Sequence, residues 1–580
     1  MITPDLRQMS HARLSKVDGR GHRLSKVKSS RWTGRAGGGI VELVGDNGGV
    51  ADLSEVLAAA GVRPGDLVGL AEGVDGGMTI ATDAGEWRGP ADELGAADLV
   101  VRPRWVMWSQ ETARVLTGHG VRLATCWDVA AAHRLLFGGW RAEPAFVWAC
   151  LHGEPPPELP AGEPDLFSAA ADTPALGAAE ALAAARMQLA GLEEGGGGNR
   201  VSTARSESTA ELLCAELAAD GLPLDRTVAE ELLAGIIGPR PRGPAEAAAI
   251  RAARDERVLR HSLSTTAIDL RSPAQVKALL AMEGIDVPDT RAHRLEELKD
   301  RSPLVAALLE WRKADRIATT YGYGWLDDCL GPDGRLRGEW TGCDGAAGRM
   351  TASNGLHNMP AMLRGAVLAE DGHLLVRADL GQIEPRVLAA VSGDKALAAA
   401  TRADDMYLPV AAELDVDRPT AKVAMIAAMY GQTTGHGGEA ARRMRSAYPV
   451  AMGYLDAADR SGRSHRDLRT YGGRLIRMSG GGDDGARGRY GRNAVIQGAA
   501  AELFKMWAVT VRARTGPLDA RIVLCLHDEL LLHVPAGNAE RTAELVGACL
   551  AEAAGRWAPG GRVRFIADIT IVRSWAEAKS

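Results

Sequence analysis

The spacing of apolar and polar residues changes along the chain, and each change predicts a different kind of element. From about Gly38 to Trp148, short apolar runs such as VELV and DLVGL alternate with helix-like stretches such as DVAAAHRLL. From about 206 to 320, Ala-rich stretches with apolar residues three or four positions apart predict amphipathic helices. Beyond 330, Gly-rich turns separate strand-like runs from helices. The chain is therefore expected to contain a small α/β domain, a helical region and an α+β region, in that order.

Residues 521–536, RIVLCLHDELLLHVPA, contain two apolar runs that meet at His527, Asp528 and Glu529. The runs predict two paired strands with the three ionisable residues at the bend between them. Burying a carboxylate without a partner is costly, so the bend should contain either a salt-bridged turn or a bound cation. This segment alone is compatible with both alternatives.

Residues 373–393, HLLVRADLGQIEPRVLAAVSG, contain a strand-like run that ends at Asp379, after which the spacing becomes helical. If this strand pairs beside the 521–536 hairpin, Asp379 and Asp528 lie at cross-strand distance, where like charges repel unless positive charge intervenes. Mg²⁺ is often held by one or two protein carboxylates together with water and phosphate oxygens. The matching positions of the two aspartates favour a cation site over two separate capped turns.

Residues 417–431, DRPTAKVAMIAAMYG, predict a helix that begins after Asp417, has Pro419 in its first turn and ends at Gly431. Four of its residues recur at intervals of four and lie along one face; they are Arg418, Lys422, Ile426 and Tyr430. Such a face could bind a triphosphate at one end and a base or sugar at the other. An ordinary amphipathic helix with a polar face explains the spacing equally well.

Charge and composition narrow the choice of function. The 580 residues leave room for roughly three or four domains. The net charge of −6 gives no overall sign of a nucleic-acid partner. Between Arg460 and Arg492, however, nine arginines and three aspartates leave an excess of six positive charges. This stretch is either a surface for a polyanion or a solvated charged face.

Cysteines and apolar runs exclude other classes. The seven cysteines have no CxxC spacing, which argues against a zinc site or a disulfide framework and for reduced, packed thiols. No continuous apolar run reaches the roughly 18 residues of a membrane span. We therefore expect a cytoplasmic protein with no membrane partner.

In chain order, these segments resemble the three polymerase motifs of the family A DNA polymerases, the DNA polymerase I family. DLGQIE is similar to the family's DxxxxE motif, the 418–431 helix to its RxxxKxxx(x)xxxYG motif, and HDE to its third motif. GRMTASNGLHNMP at 348–360 is similar to TGRLSS…PNLQNIP, and RYGRNAVIQGAAAELFK at 489–505 to the RxxxNxxxQG helix. SPAQVKALLAMEGIDVP at 272–288 resembles the entry from thumb to palm. The resemblance covers about 206–580.

The resemblance implies a role for each matching residue. Asp379 and Asp528 would be catalytic and would ligate two Mg²⁺ ions, or Mn²⁺ in their place, with Glu529 supporting the site. Arg418 and Lys422 would hold the triphosphate, Tyr430 would pack at the nascent base pair, and Glu384 would lie at the sugar 2′ position. The whole implied nucleotide site is Arg418, Lys422, Ile426, Tyr430, Glu384 and Gln382. The implied contacts with primer-template DNA are Arg349, Arg489, Asn493, Gln497 and His527.

The resemblance also implies a fold. We expect an α/β and α+β multidomain protein, a right-hand polymerase of palm, fingers and thumb preceded by a small ribonuclease-H-like α/β domain of the 3′–5′ exonuclease type. The expected ranges are 1–35 for a basic disordered tail, 36–152 for a degenerate exonuclease-like domain, 153–205 for a linker, 206–340 for thumb and palm entry, 341–410 for palm, 411–488 for fingers and 489–580 for palm.

The expected function is template-directed DNA synthesis by a monomer, with primer-template DNA and dNTPs as partners. Single-subunit RNA polymerases share the helix motif and, like this chain at Ile426, lack the aromatic residue usual in family A. They also lack the glutamate after QI, and Glu384 can fill the space that a 2′-hydroxyl needs. The alternative that is not an enzyme is a catalytically silent DNA-binding accessory protein.

Proofreading is not expected. The exonuclease of this family needs a DxE pair, a further Asp and a Tyr- or His-xxx-Asp motif to hold two metal ions. Residues 1–200 contain no DxE and no tyrosine, and no histidine there is followed by Asp four positions later. Asp128 is the remaining candidate, and a helix N-cap is the favoured role for it.

Overall fold

The structure is a computed structural model that describes residues 33–36, 39–42, 52–73, 76–157, 176–194, 198–264, 268–431, 436–479 and 482–578. The expected basic tail up to residue 32, and residues 158–175 of the expected linker, lie outside the described residues. The chain divides into two compact units. The first unit draws on Met1–Asp220, Glu339–Thr351 and Val376–Ile571, and the second on Gly221–Gly338, Ala352–Leu375 and Val572–Ser580.

The N-terminal part of the first unit is a seven-stranded sheet with helices. Its strands are β1 (Thr33–Ala36), β2 (Gly39–Glu42), β3 (Leu67–Glu72), β4 (Met78–Thr82), β5 (Gly85–Gly89), β6 (Arg104–Met107) and β7 (Cys126–Asp128). Its helices are α1 (Leu53–Ala59), α2 (Leu94–Val101), α3 (Gln110–Gly118), α4 (Val129–Phe137) and α5 (Pro144–His152). The strand order is β2-β1-β5-β4-β3-β6-β7. Strands β3, β6 and β7 are parallel, whereas β3, β4 and β5 form an antiparallel meander.

Two helices follow where the sequence suggested a linker, and they correct that expectation. They are α6 (Ala178–Glu194) and α7 (Gly198–Asp220). The α6 segment AAEALAAARMQLAGLEE consists mostly of strong helix formers, and it packs on β3, β4 and β6. Leu212 and Ala215 of α7 join the apolar core around Trp105. At the other boundary, β1 begins at Thr33, within the stretch assigned to the tail.

The second unit is mainly helical, as the spacing of apolar residues predicted. Its elements are β8 (Leu222–Pro223), α8 (Arg226–Ile237), α9 (Pro244–Leu259), α10 (Pro273–Met282), α11 (Ala292–Glu296), α12 (Pro303–Thr320), α13 (Tyr323–Cys329) and β9 (Arg335–Leu336). Ser302 caps the N-terminus of helix α12, because its Oγ accepts a hydrogen bond from the Val305 N–H over 3.3 Å. Leu280, Leu308 and Trp311 belong to the core of this unit.

The remaining elements lie wholly or mostly in the first unit. They are β10 (Trp340–Asp344), β11 (Arg349–Ala352), β12 (His373–Leu380), α14 (Ile383–Ser392), α15 (Lys395–Ala400), α16 (Tyr407–Leu414), α17 (Arg418–Tyr430), α18 (His436–Ala447), α19 (Pro449–Arg463), β13 (Leu468–Arg469), β14 (Leu475–Ile476), α20 (Asp484–Thr515), β15 (Arg521–Leu526), β16 (Glu529–Pro535), α21 (Ala539–Trp557) and β17 (Ala567–Val572). Four of these strands form one sheet in the order β15-β16-β12-β17.

The predicted hairpin at 521–536 is present. Strands β15 and β16 pair antiparallel, with Leu526 opposite Glu529. Their apolar residues are buried, and His527 at the bend has a φ of 54°. Because β12 lies next to β16, the strand that carries Asp379 adjoins the strand that begins after Asp528, as the sequence suggested.

The predicted helix at 417–431 is also present as α17. The Asp417 carboxylate accepts a hydrogen bond from the Thr420 N–H over 2.8 Å and caps the N-terminus. The helix ends at Gly431, which has a φ of 69°. A Cβ at Gly431 would also lie 3.3 Å from side-chain atoms of Arg489 and Arg492, so a residue without a side chain lets α17 approach α20.

Helix α20 is the longest described helix, with 32 residues, and most of its side chains are buried. Among the described residues, Asp484–Leu518 is the one helical stretch long and apolar enough to cross a membrane, and 89% of the relevant window is buried inside the protein. Leu503, Phe504 and Trp507 of this helix lie in the interior. Its apolar character therefore serves the core.

Candidate active site

Asp379 and Asp528 lie where β12 ends and the neighbouring strand β16 begins. The backbone N–H of Leu380 donates a hydrogen bond to the carbonyl oxygen of Asp528 over 2.9 Å. Since adjacent strands lie about 4.8 Å apart, this bond places the two aspartates side by side. Both are half-buried, so their carboxylates remain within reach of solvent. The sequence analysis made the proximity of the two aspartates depend on pairing of the Asp379 strand with the 521–536 hairpin, and β12 does lie beside β16.

Arg377 connects the acidic residues around this pair. Its Nη2 donates to the carboxylates of Asp379 and of Glu529, the latter over 3.0 Å. Its Nη1 donates to Asp568 over 3.4 Å. Arg377 is 3% exposed and Glu529 is 2% exposed, whereas the Asp568 side chain is largely in solvent. Glu529 is thus held by an internal guanidinium behind the two aspartates.

Glu384 is the centre of a second cluster. The Tyr430 hydroxyl donates to Glu384 Oε2 over 3.4 Å, and Arg349 Nη2 lies 3.6 Å from Glu384 Oε1. Gln497 hydrogen-bonds Tyr430 from α20. Burial raises the pKa of the Glu384 carboxyl, which the positive charge of Arg349 partly opposes. Four of the expected nucleotide and DNA residues therefore touch one another.

Helix α20 presents a narrow polar face beside this cluster. Arg489 is exposed, and Asn493 and Gln497 are half-buried, whereas most residues between them are buried. The spacing of four puts these side chains along one line. His527 is exposed at the surface, and the protein around its ring and the nearby Arg349 charge lower its pKa. Gln497 thus joins this face to the Glu384 cluster, and His527 directly precedes Asp528.

The exposed face of α17 carries two cations. Arg418 pairs with the carboxylate of Asp405. Lys422 is exposed and has no ion-pair partner among the residues that the structure describes. Gln382 Nε2 donates to Asp405 over 2.7 Å, and Gln382 Oε1 accepts from the Met406 N–H over 3.0 Å. Gln382 therefore anchors the residue that precedes α16. Through Asp405 it also helps to position Arg418.

A buried ion cluster fixes the hairpin that carries Arg349. Lys505 Nζ donates to Glu207 over 2.5 Å and to the carbonyl oxygens of Gly342 and Gly348 over 3.1 and 2.7 Å. Arg474 also pairs with Glu207. Lys505 and Glu207 are each at most 2% exposed. Gly348 directly precedes Arg349. The cluster therefore positions the backbone at the start of β11, from which the Arg349 side chain extends.

Much of the basic stretch at 460–492 has internal partners. Arg474 is in the buried cluster, and Arg492 donates to the Ala428 carbonyl over 2.7 Å and to Asp456 over 2.7 Å. Arg469 and Arg477 donate to the carbonyl oxygens at the end of α4 over 3.2 and 2.9 Å. The charge excess of this stretch is therefore partly structural rather than a surface for a polyanion.

Asp379 and Asp528 are the residues that could hold a divalent cation. Carboxylate oxygens are the ligands that Mg²⁺ and Mn²⁺ prefer. Asp379 lies on β12 and Asp528 directly precedes β16, and both side chains are half-buried, so an ion from solvent could reach each of them. Arg377 contacts Oδ2 of Asp379, so a divalent ion at this carboxylate would share it with the guanidinium. The donor set fits a divalent ion.

Sequence reasoning missed three residues of this region. Arg377 could have been found, since it precedes Asp379 by two positions and therefore shares its face of the strand. Asp405 lies between helices and nothing in its local sequence marks it. Lys505 lies in the 489–505 segment, but its partner Glu207 is 298 positions away.

Comparison with known proteins decides the family. The model of DNA polymerase family A matches residues 248–577, more than half of the chain. The chain belongs to DNA polymerase family A. The polymerase motifs are therefore those of its own family, and the mixed helix and strand architecture is that of a right-hand polymerase.

Relatives of this family A chain include DNA polymerase I of Chloroflexus aurantiacus, 33% identical over 290 residues that cover 44% of this chain and 31% of the relative. The thermostable DNA polymerase I of Thermus filiformis is 31% identical over 322 residues, 49% of this chain and 38% of the relative. The chain thus spans about a third of the length of these curated relatives. The solved POL domain of Pol1 from M. smegmatis, in complex with DNA primer-template and dNTP, has the same fold, with a TM-score of 0.66 and 22% identity over 91% of this chain and 98% of that one.

The described part of the N-terminal sheet was the expected location of exonuclease metal ligands. Within 52–73 and 76–157, no three metal-ligating side chains lie together. Asp128 caps α4 by accepting from the Ala131 N–H over 2.8 Å, the role favoured for it. A Cβ at Gly69 in β3 would collide with the Ala178 carbonyl, and Trp108 Nε1 donates to the Gly177 carbonyl over 3.0 Å. The backbone before α6 thus covers β3 and the carboxyl end of β6.

Proposed function

We propose that this family A chain is a template-directed DNA polymerase that adds deoxynucleotides to the 3′-hydroxyl of a primer. The observation that carries the proposal is the placement of Asp379 beside Asp528, joined through the backbone bond from Leu380. The M. smegmatis neighbour is in complex with DNA primer-template and dNTP, and we assign the same classes of partner to this chain.

Asp379 and Asp528 would hold the divalent ions, for which we propose two Mg²⁺, with Mn²⁺ as a substitute. Ions held there supply positive charge that lowers the pKa of the primer hydroxyl and offsets the charge of the departing pyrophosphate. Glu529 contributes indirectly, because it fixes Arg377 behind the aspartates. The remaining work of phosphoryl transfer is alignment and charge stabilisation.

The exposed face of α17 is proposed to align the nucleotide. Lys422 and Arg418 would bind the triphosphate, and Ile426 would line the site between them and Tyr430. Gln382 would act through Asp405, which holds Arg418. Charge-assisted hydrogen bonds from these cations to phosphate oxygens strengthen as negative charge shifts toward the leaving group.

Selection of deoxynucleotides is proposed to rest on Glu384. Its carboxylate is held from one side by Tyr430 and from the other by Arg349. A side chain fixed in this way cannot swing aside to admit a 2′-hydroxyl without breaking both contacts. This favours DNA synthesis over RNA synthesis.

The primer-template is proposed to lie along Arg349, Arg489, Asn493, Gln497 and His527. These residues line the Glu384 cluster, the polar face of α20 and the bend beside Asp528. Arginine, asparagine and glutamine can donate to base and sugar acceptors of the minor groove. His527 would lie next to the primer end.

The N-terminal sheet is proposed to be a degenerate exonuclease-like domain that braces the polymerase and does not proofread. Two observations support this proposal. The sequence lacks the nuclease carboxylates, and the backbone of Gly177 and Ala178 lies over β3 and β6. We also propose a monomer that acts in the cytoplasm, at the nucleoid of a bacterial host, where DNA and dNTPs are found. Light scattering on the purified protein tests the oligomeric state.

Primer extension tests the proposal. The protein is incubated with Mg²⁺ and four primer-templates that differ only in the next template base, and each dNTP is supplied singly. The expected result is addition of the complementary dNTP alone. Addition of rNTPs at equal rates would instead support an RNA polymerase-like enzyme. Tight DNA binding with no addition of either would support a silent DNA-binding protein.

A further inference from the structure

A fixed positive charge lies inside the acidic site. The Arg377 guanidinium contacts the carboxylate of Asp379 and that of Glu529, the latter over 3.0 Å, and reaches Asp568 over 3.4 Å. It is 3% exposed, so solvent screens it weakly. A guanidinium stays charged at any pH at which the protein is folded.

The sheet explains this placement. Arg377 and Asp379 are two positions apart on β12 and therefore point to the same face. Strand β16 brings Glu529 from one side, and β17 brings Asp568 from the other. Glu529 is buried, and Arg377 supplies positive charge that compensates its carboxylate. Arg377 therefore keeps the acidic residues in place when the site holds no ion.

The same charge must affect ion binding. A divalent ion at Asp379 shares that carboxylate with Arg377 and lies within a few ångströms of its positive charge. At about 6 Å, repulsion between a unit charge and a divalent ion lowers affinity about tenfold even at the dielectric constant of water. Inside the protein the effect is larger.

We propose that Arg377 is a positioning residue that holds Asp379 and Glu529 in the ion-free enzyme and weakens the binding of the divalent ion at Asp379. The inference rests on the proposed function, because it takes Asp379 and Asp528 as the ion ligands. The site is thus ordered before the ion arrives, and it exchanges its ion more readily than a site built of carboxylates alone.

Mn²⁺ titration of the full chain, without DNA or nucleotide, tests this by the electron paramagnetic resonance signal of free Mn²⁺. Arg377→Gln is expected to bind Mn²⁺ at least about tenfold more tightly than the wild type. Asp568→Asn, which removes an exposed charge beside the same guanidinium, is the matched control and is expected to bind slightly more weakly. Equal or weaker binding by folded Arg377→Gln overturns the proposal.

A second pair of variants covers a failure of Arg377→Gln to fold. Arg377→Met combined with Glu529→Gln removes both charges of the buried Arg377–Glu529 ion pair, and Glu529→Gln alone is its reference. The double variant is expected to bind Mn²⁺ about tenfold more tightly than this reference, and equal affinity overturns the proposal. Asp379→Asn separates the two levels of inference. If the wild type binds Mn²⁺ no more tightly than Asp379→Asn does, the proposed ion site is wrong. If Asp379→Asn loses Mn²⁺ binding and the wild type retains it, the ion site is supported, and the Arg377 variants then decide the role of Arg377.

Discussion

The Tyr430 hydroxyl donates a hydrogen bond to Glu384 Oε2 over 3.4 Å, which joins the end of α17 to the start of α14. Arg349 contacts the other carboxylate oxygen at 3.6 Å. Two contacts restrict the Glu384 side chain to one position. That position fixes the volume available next to a bound sugar.

Glu384→Ala is expected to admit ribonucleotides. Removing the carboxylate opens the space for a 2′-hydroxyl, so the ratio of kcat/KM for dNTP over rNTP should fall about tenfold or more. Tyr430→Phe keeps the ring and loses one contact to Glu384, so its effect should be smaller. Single-nucleotide addition measures both ratios, and an unchanged ratio in Glu384→Ala would contradict the assignment.

Glu207→Gln is expected to destabilise the fold by about 3 to 5 kcal/mol. The change leaves Lys505 and Arg474 buried without the carboxylate that they share. Burial alone would raise the pKa of Glu207, but the charges of Arg474 and Lys505 outweigh burial and lower that pKa. Urea denaturation followed by circular dichroism measures the loss. Glu544→Gln, an exposed site on α21, is the control and should change stability little. Similar stability of both variants would refute a structural role for the cluster.

His133 is expected to make folding depend on pH. Burial, with the charges of Arg134 and Arg477, lowers the pKa of His133 from 6.5 to about 4. The unfolded state therefore binds a proton that the folded state does not bind. As a result, the free energy of unfolding decreases as the pH falls from about 6.5 toward 4. His133→Gln should reduce the loss between pH 7 and pH 5 by up to about 2 kcal/mol. Exposed His119→Gln is the control, and equal pH profiles for His133→Gln and wild type would contradict the expectation.

A primer with a mismatched 3′ nucleotide is expected to keep its length when incubated with the protein and Mg²⁺ but no dNTP. The described N-terminal residues hold no group of three metal ligands, and backbone covers the sheet near β3 and β6. A matched primer with dNTPs shows in parallel that the preparation is active. Shortening that persists in Asp528→Ala, which should not extend primers, would reveal a nuclease in the N-terminal sheet.

The sequence predicted those parts of the site that local patterns specify. The apolar run that ends at Asp379 predicted β12, and the two runs that meet at residues 527–529 predicted β15 and β16. The caps at Asp417 and Gly431 predicted α17. Helix α6 was missed because flanking Pro- and Gly-rich segments suggested a linker, although its own residues favour helix. The Glu207 to Lys505 contact joins positions 298 apart, and no local pattern encodes such a pairing.

The most direct test of the account is the rate of single dNTP addition by Asp379→Asn and Asp528→Asn under single-turnover conditions. Each change keeps the size of the side chain and removes one charge that would hold an ion. The account predicts that the wild type adds the complementary dNTP, that each variant is slower by about a thousandfold or more, and that primer-template affinity stays nearly unchanged. Addition by either variant at the wild-type rate would contradict it.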